Sequence, residues 1–265
     1  MNRRTPPIDP MPETQEGARR VRRCGKRKNV RETQEGCRKS KKVRESKKEK
    51  SEESMPTSKT PKEPIPAPLH DIVAPEGGWE AGQRERAVFA GGCFWGVQSV
   101  FQRVKGVENT VVGYSGGAEG TADYHRVSTG KTGHAEALEI VFDPEMVSFG
   151  MLLRIFFSVV HDPTQLNRQG NDIGTQYRSA IFYTDEEQRE VAEAYVRQLD
   201  AAHIFGGKIV TQIVPLEHFY AGEEYHQDYA LKNPGNPYIQ VCDIPKIADL
   251  ERQFPAMFQE YQLKG

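Results

Sequence analysis

Large apolar side chains are sparse up to about residue 82 and then recur in ordered runs. The run Ala87, Val88, Phe89, Ala90 is continuous and short and predicts an apolar strand. Gly91-Gly92 breaks it. From Cys93 onward, Phe94, Val97, Val100, Phe101 and Val104 recur at helical spacing, so a helix is predicted with Cys93 at its head. A β-branched run from Val107 to Val112, ended by glycines, predicts the second strand. HAEALEIVFDP predicts a third over 134–142, and Ser148 is placed to cap a helix over FGMLLRIFFSVV that stops near His161-Asp162-Pro163. After a polar loop come a strand at 177–183, a charged amphipathic helix over 186–202 capped by Thr184 or Asp185, a strand at 208–216, and a helix across AGEEYHQDYALKN. Through Tyr183 the order is β-α-β-β-α-β, the split βαβ pattern of a ferredoxin-like plait. The predicted fold is therefore α+β: a two-layer sandwich with a mixed sheet, extra helices, and helices covering one face.

Charge divides the 265 residues into two unlike parts. Residues 1–62 hold 20 Lys and Arg against 9 Asp and Glu, whereas the remainder holds 16 against 28. The first part cannot bury enough apolar surface to offset its ordering entropy, so residues 1–82 are expected to form a disordered basic tail and a Pro/Gly-rich lead-in. From Pro61 to Gly78 that lead-in is expected to be extended and to lie on the domain surface. Residues 83–265 are expected to form the catalytic domain. ETQEG occurs twice, at 13–17 and 32–36, each time followed by basic residues. The basic runs have the charge of a nucleic-acid, anionic-membrane or nuclear-import patch, but interspersed glutamates and the lack of aromatics favour a solvated tail without nucleic-acid binding. Met55 offers an alternative translation start. Cys24, Cys37, Cys93 and Cys242 form no CxxC pair and no disulfide framework, so a reducing compartment is the default. No apolar run approaches a bilayer span and no secretory signal is visible; the expected compartment is the cytoplasm.

Cys93 carries the first chemical signal. A helix N-terminus presents unpaired N–H groups and a positive dipole end, which should lower the thiol's pKa and favour the nucleophilic thiolate. The flanking glycines leave room for a partner, and Phe94 and Trp95 set aromatic surface beside the sulfur. A buried structural cysteine is the plainer alternative. GGCFWG (91–96), GYSGG (113–117), the Tyr124 loop, GHAE (133–136), HDP (161–163) and NRQGNDIGTQYRS (167–179) together resemble the peptide methionine sulfoxide reductases of the A type. The resemblance runs from about Ala87 to roughly Pro245 and leaves the charged N-terminal segment outside.

That resemblance implies thiol-dependent reduction of methionine S-sulfoxide, free or in oxidised proteins, without metal or organic cofactor. It implies Cys93 as nucleophile, Glu136 as acid, Tyr124 and Tyr177 as phenols on the sulfoxide oxygen, and Asp172 as a polar residue shaping the pocket. Phe94 and Trp95 would cradle the substrate methyl group. The product sulfenic acid must be reduced by a second thiol. The chain lacks the family's glycine-rich, cysteine-bearing tail; NPYIQVCDIPKIADLERQFP stands in its place. Direct attack by thioredoxin, or by glutaredoxin with glutathione, is therefore the expected recycling route. Cys242 is the alternative resolving residue, and mobile Cys24 and Cys37 are further candidates. A monomer is expected. Without the motif context, Glu136, Tyr124, Tyr177 and Asp172 would be ordinary strand, surface and turn residues. His134, His161 and His226 would then invite a rival reading as a cysteine–histidine hydrolase. A different rival gives the functional role to the basic tail, in nucleic-acid binding or scaffolding.

Overall fold

The computed structural model describes residue 61 and residues 64–262. In chain order the elements are β1 (Glu85–Gly91), α1 (Phe94–Phe101), β2 (Val107–Ser115), α2 (Tyr124–Val127), β3 (Ala135–Phe142) and α3 (Phe149–Ile155), which continues into a π-helical turn, Phe156–Val160. A two-residue hairpin, β4 (Arg168–Gln169) and β5 (Asp172–Ile173), precedes β6 (Ser179–Tyr183), α4 (Glu186–Ala201), β7 (Gln212–Pro215) and β8 (Phe219–Ala221). The chain then forms α5 (Tyr229–Lys232), a second π-helical turn (Ile239–Asp243) and α6 (Ile244–Gln253).

Six strands form one mixed sheet in the order β7-β6-β1-β3-β2-β8. β1 runs antiparallel to both β3 and β6, while β6 and β7 are parallel across the α4 crossover. The continuous apolar run of β1 explains its central place, since both of its faces are covered. Ala87 and Phe89 face the main core with Val112, Leu138, Ile140 and Ile181, under α1, α3, α4 and α6. Val88 and Ala90 face a smaller cluster with Ala135, Ala137, Ala180 and Phe182, backed by Val214, Leu216 and Phe219. Helices therefore pack on the face with the larger core, and the small alanines mark the other. Alternation along β3 puts Glu136 on the helix-covered face with Leu138 and Ile140.

Side-chain caps set two helix starts. Ser148 Oγ accepts the Met151 N–H at 3.1 Å, and Asp185 rather than Thr184 takes the Gln188 N–H at 2.9 Å. The lead-in lies along the domain in extended form. Ile65 is 2 % exposed, its carbonyl accepts from Arg154 Nε, and Pro66 O accepts from the Tyr195 hydroxyl. Asp71 accepts from Ser148 Oγ at 2.6 Å and from Gly150 N at 2.7 Å. Disorder as far as residue 82 is thus set aside for the stretch around Ile65 to Asp71, where one buried isoleucine and these bonds offset the ordering entropy. The expectations for the ETQEG segments, the basic runs, Met55, Cys24 and Cys37 lie outside the described residues.

The C-terminal third departs most from its predicted elements. The strand expected over 208–216 narrows to β7, because the Val210 N–H turns away to Pro163 O. The helix expected across 221–233 breaks into a 3₁₀ turn (Glu224–His226) and α5, with Asp228 left-handed at φ 57°. Long-range bonds cause the break. The Gln227 side chain pairs with both Val112 N and Val112 O, as a strand neighbour would, and the Asp228 N–H goes to Gln98 Oε1. β8, which extends the sheet beside β2, was hidden in a three-residue stretch.

Candidate active site

Cys93 is the N-cap of α1, half-buried, at the point where β1 ends in Gly91 and Gly92. Gly92 has φ +94°, and a Cβ on it would sit 2.8 Å from Gln169 Cβ, so only glycine fits this junction. The Trp95 backbone N–H and the neighbouring Tyr238 hydroxyl both favour thiolate. Burial, and the charges that Glu136 and Asp243 bear once ionised, outweigh them and push the thiol well above its ordinary pKa. The lowered thiol pKa expected from the helix start is therefore corrected. The helix dipole is present, but desolvation and two carboxyl groups are larger effects here.

Glu136 approaches from β3, 2 % exposed, and accepts the Phe94 N–H at 3.1 Å. Desolvation dominates over that bond and lifts the carboxyl to about 8, so it carries a proton at neutral pH. Tyr124 stands at the head of α2 and Tyr177 ends a 3₁₀ turn (Thr175–Tyr177); burial raises both phenols, which stay protonated donors. Asp172 is carried in by the β4–β5 hairpin and accepts from the Tyr238 hydroxyl at 2.5 Å. Cys93, Phe94, Trp95, Tyr124, Glu136, Asp172 and Tyr177, together with Tyr238, line one cavity of about 70 Å³. Seven residues singled out from sequence thus meet in one small pocket, a thiol and a protonated carboxyl among aromatic walls.

The family model described as peptide methionine sulfoxide reductase matches residues 85–257, the stretch that builds this pocket. The chain belongs to the peptide methionine sulfoxide reductase family. It is 54 % identical over 176 residues to peptide methionine sulfoxide reductase MsrA 2 of Mesorhizobium japonicum, covering 66 % of this chain and 90 % of that relative. It is 53 % identical over 190 residues to the protein of the same name from Synechocystis, covering 72 % of this chain and 88 % of that one. Among solved structures it resembles methionine sulfoxide reductase A of Corynebacterium diphtheriae, with TM-score 0.51 and 39 % identity, over 66 % of this chain and 85 % of that one. Reduced Mxr1 from Saccharomyces cerevisiae gives TM-score 0.53 and 34 % identity over 60 % and 90 %.

Around this family member's pocket lies a supporting layer that the sequence did not reveal. Glu223 accepts from the Tyr114 hydroxyl at 2.8 Å and from the Tyr124 N–H at 2.9 Å, fixing Tyr124 from behind. His226, 2 % exposed, accepts from Trp95 Nε1 at 3.2 Å and packs against Phe94 and Tyr124. Trp95 is stacked on Tyr229 with 3.9 Å between ring centres. Tyr238 joins the site through Asp172, 66 residues away, and no local pattern announces such a pair. The other histidines have local duties. His134 bonds Gly117 N and Ala118 O, and buried His161 bonds Phe156 O and Thr211 Oγ1, its pKa lowered to about 3 by desolvation. No observation favours the cysteine–histidine hydrolase reading. Cys242 lies in the second π-helical turn, half-buried and free, and outside the pocket lining. Among the described residues no group of three or more His, Cys, Asp or Glu could hold a metal ion, and no helix is long and apolar enough to cross a membrane.

Proposed function

We infer that this chain reduces methionine S-sulfoxide, free and in oxidised proteins, to methionine by a thiol-dependent reaction with Cys93 as nucleophile. The observation that carries the reading is the pairing of the Cys93 thiol with a protonated Glu136 in one aromatic-walled cavity. A sulfinyl sulfur becomes electrophilic when its oxygen is protonated or hydrogen-bonded. Tyr124 and Tyr177 offer hydroxyl donors to that oxygen, and Glu136 supplies the proton. The Cys93 sulfur forms a bond to the sulfinyl sulfur; the protonated oxygen then bonds to Cys93 as the sulfinyl S–O bond and the S–S bond break, so methionine leaves and Cys93 holds the oxygen as the sulfenic acid. The thiol's own proton restores Glu136, so methionine and Cys93–SOH are the only products. Phe94 and Trp95 cover the apolar side of the cavity, where the substrate methyl group belongs. Asp172 orients Tyr238 toward the nucleophile.

Recycling needs a thiolate that attacks Cys93–SOH and displaces its oxygen as water, followed by a second thiol that reduces the resulting disulfide. An external dithiol of the thioredoxin type, or glutaredoxin with glutathione, suits this chain because Cys242 belongs to a packed helical turn rather than a free arm. The four central strands, ordered β6-β1-β3-β2 with antiparallel neighbours, support reading the core as the ferredoxin-like split βαβ plait. Incubation with the separated R and S epimers of a blocked methionine sulfoxide, with dithiothreitol as reductant, tests the function. Methionine formed from the S epimer alone is the expected result, and none in Cys93→Ser. Turnover of neither epimer by the intact chain would sink the reading.

A further inference from the structure

Asp243 is fully buried, and neither carboxyl oxygen has a hydrogen-bond partner. A buried carboxyl without partners is costly, so its placement calls for a reason. Asp243 ends the second π-helical turn, a distortion often found at functional sites. Its Oδ1 lies so close over Gly96, in the first turn of α1, that any Cβ there would overlap it; Lys246 Nζ lies 2.9 Å from the same Cβ position. A glycine in the nucleophile's own helix thus makes room for a carboxyl and an ammonium beside its N-terminus.

The charged and titratable groups that bear on Asp243 come from several elements. Lys246 belongs to α6, Asp172 to β5, Cys93 to the head of α1, and Tyr238 and Cys242 to its own turn or just before it. Buried His161, neutral at ordinary pH, also feels Lys246. Glu136 faces the sulfur from β3. The two carboxyls nearest the thiol in charge differ at neutral pH: Glu136, raised to about 8, is protonated, whereas Asp243, raised by burial only to about 6, is ionised.

We propose that Asp243 guards the nucleophile: its buried charge over the first turn of α1 adds to burial in keeping the Cys93 thiol neutral in the free protein, which restricts the sulfur to sulfoxides. The proposal rests on Cys93 as the reacting thiol. Hydrogen peroxide oxidises a thiolate; the sulfur bonds one oxygen, the O–O bond breaks, and hydroxide leaves. A neutral thiol is far less reactive in that way. A sulfoxide in the pocket differs because Glu136 protonates its oxygen as the S–O bond breaks, and the thiol proton replaces the one Glu136 gave.

Alkylation of Cys93 by iodoacetamide, followed across pH 5 to 9 by mass spectrometry of its peptide in the full chain, tests this. In the wild type the logarithm of the rate should rise with pH, flatten over about one unit above about 6 and then rise again, because the proton lost near 6 comes from Asp243 and its new charge opposes the thiolate. Asp243→Asn should remove the flattening and speed alkylation at pH 7 by about tenfold, the effect of one pKa unit. Sulfenic acid trapped after peroxide treatment should increase in parallel, and Asp243→Glu should restore the slow rate. A wild-type profile with no inflection near 6, or unchanged or slower alkylation in Asp243→Asn, would overturn the proposal. The wild-type profile stands even if the variant fails to fold. Because alkylation is read without a sulfoxide, it also stands apart from the outcome of the epimer assay.

Discussion

At the scale of single residues, Glu136 combines two opposed demands. Its carboxyl must be buried beside the thiol to hold a proton, and that burial costs stability. Because the folded pKa of about 8 lies above the unfolded value, the folded state binds the proton more tightly. Its contribution to stability is therefore full below the unfolded value and is lost as pH rises through about 8. Glu136→Gln keeps an acceptor for the Phe94 N–H but has no proton to give. It should melt at a higher temperature than the wild type at pH 8, while the single-turnover rate of sulfenic acid formation falls by ~10²–10⁴-fold. The fall in that rate as the wild type passes pH 8 should also vanish. An unchanged single-turnover rate would make Glu136 a bystander. Thiol counting addresses Cys93. With four cysteines in the chain, one equivalent of methionine sulfoxide should leave three free thiols if Cys93 stays a sulfenic acid, and two if an internal disulfide forms. Three is the expected count. A mapped Cys93–Cys242 bridge would move recycling inside the chain.

At the scale of elements, the site is a junction of short pieces held by contacts across the chain. α1 delivers Cys93, β3 delivers Glu136, the β4–β5 hairpin delivers Asp172, and the second π-helical turn brings Asp243 over Gly96. The Gly96 contact reverses an ordinary helix rule. An interior glycine replaced by alanine normally stabilises a helix by ~1 kcal/mol. Here the added Cβ would overlap Asp243 Oδ1, so Gly96→Ala should destabilise instead, by on the order of 1–3 kcal/mol as for other overpacked sites. Urea denaturation decides the sign. A stabilised variant would mean that α6 yields freely and that the contact carries no weight.

At the scale of the whole molecule, the lead-in is part of the folded body. Deleting residues 1–62 removes no pocket residue, and both melting temperature and turnover should stay near those of the full chain. Deleting residues 1–73 also removes buried Ile65 and the Asp71 bonds that hold the start of α3. One large apolar side chain and several hydrogen bonds amount to a loss of on the order of 5 kcal/mol. The second deletion should therefore melt well below the first, while its turnover at low temperature persists because the pocket is built elsewhere. Equal melting temperatures would show that the strap is not a stabilising element.

Local pattern determined a good part of this protein. The continuous apolar run of β1, the 3–4 spacing of α1 and the Ser148 cap are properties of neighbouring residues, and each is found where the pattern put it. The ordered motifs named the residues that meet in the pocket, because a shared chemistry constrains residue types at fixed intervals. Tertiary structure decided what depends on distant partners. Gln227 and Asp228 left the helix their segment favours because Val112 and Gln98 offered better bonds. Tyr238, Glu223 and His226 joined the site through contacts that span much of the chain. The charge state of Cys93 was decided the same way. A helix start by itself favours a thiolate, but desolvation and a carboxylate brought over Gly96 from residue 243 favour the thiol. Electrostatic energy depends on distance through the folded molecule, not on separation along the chain.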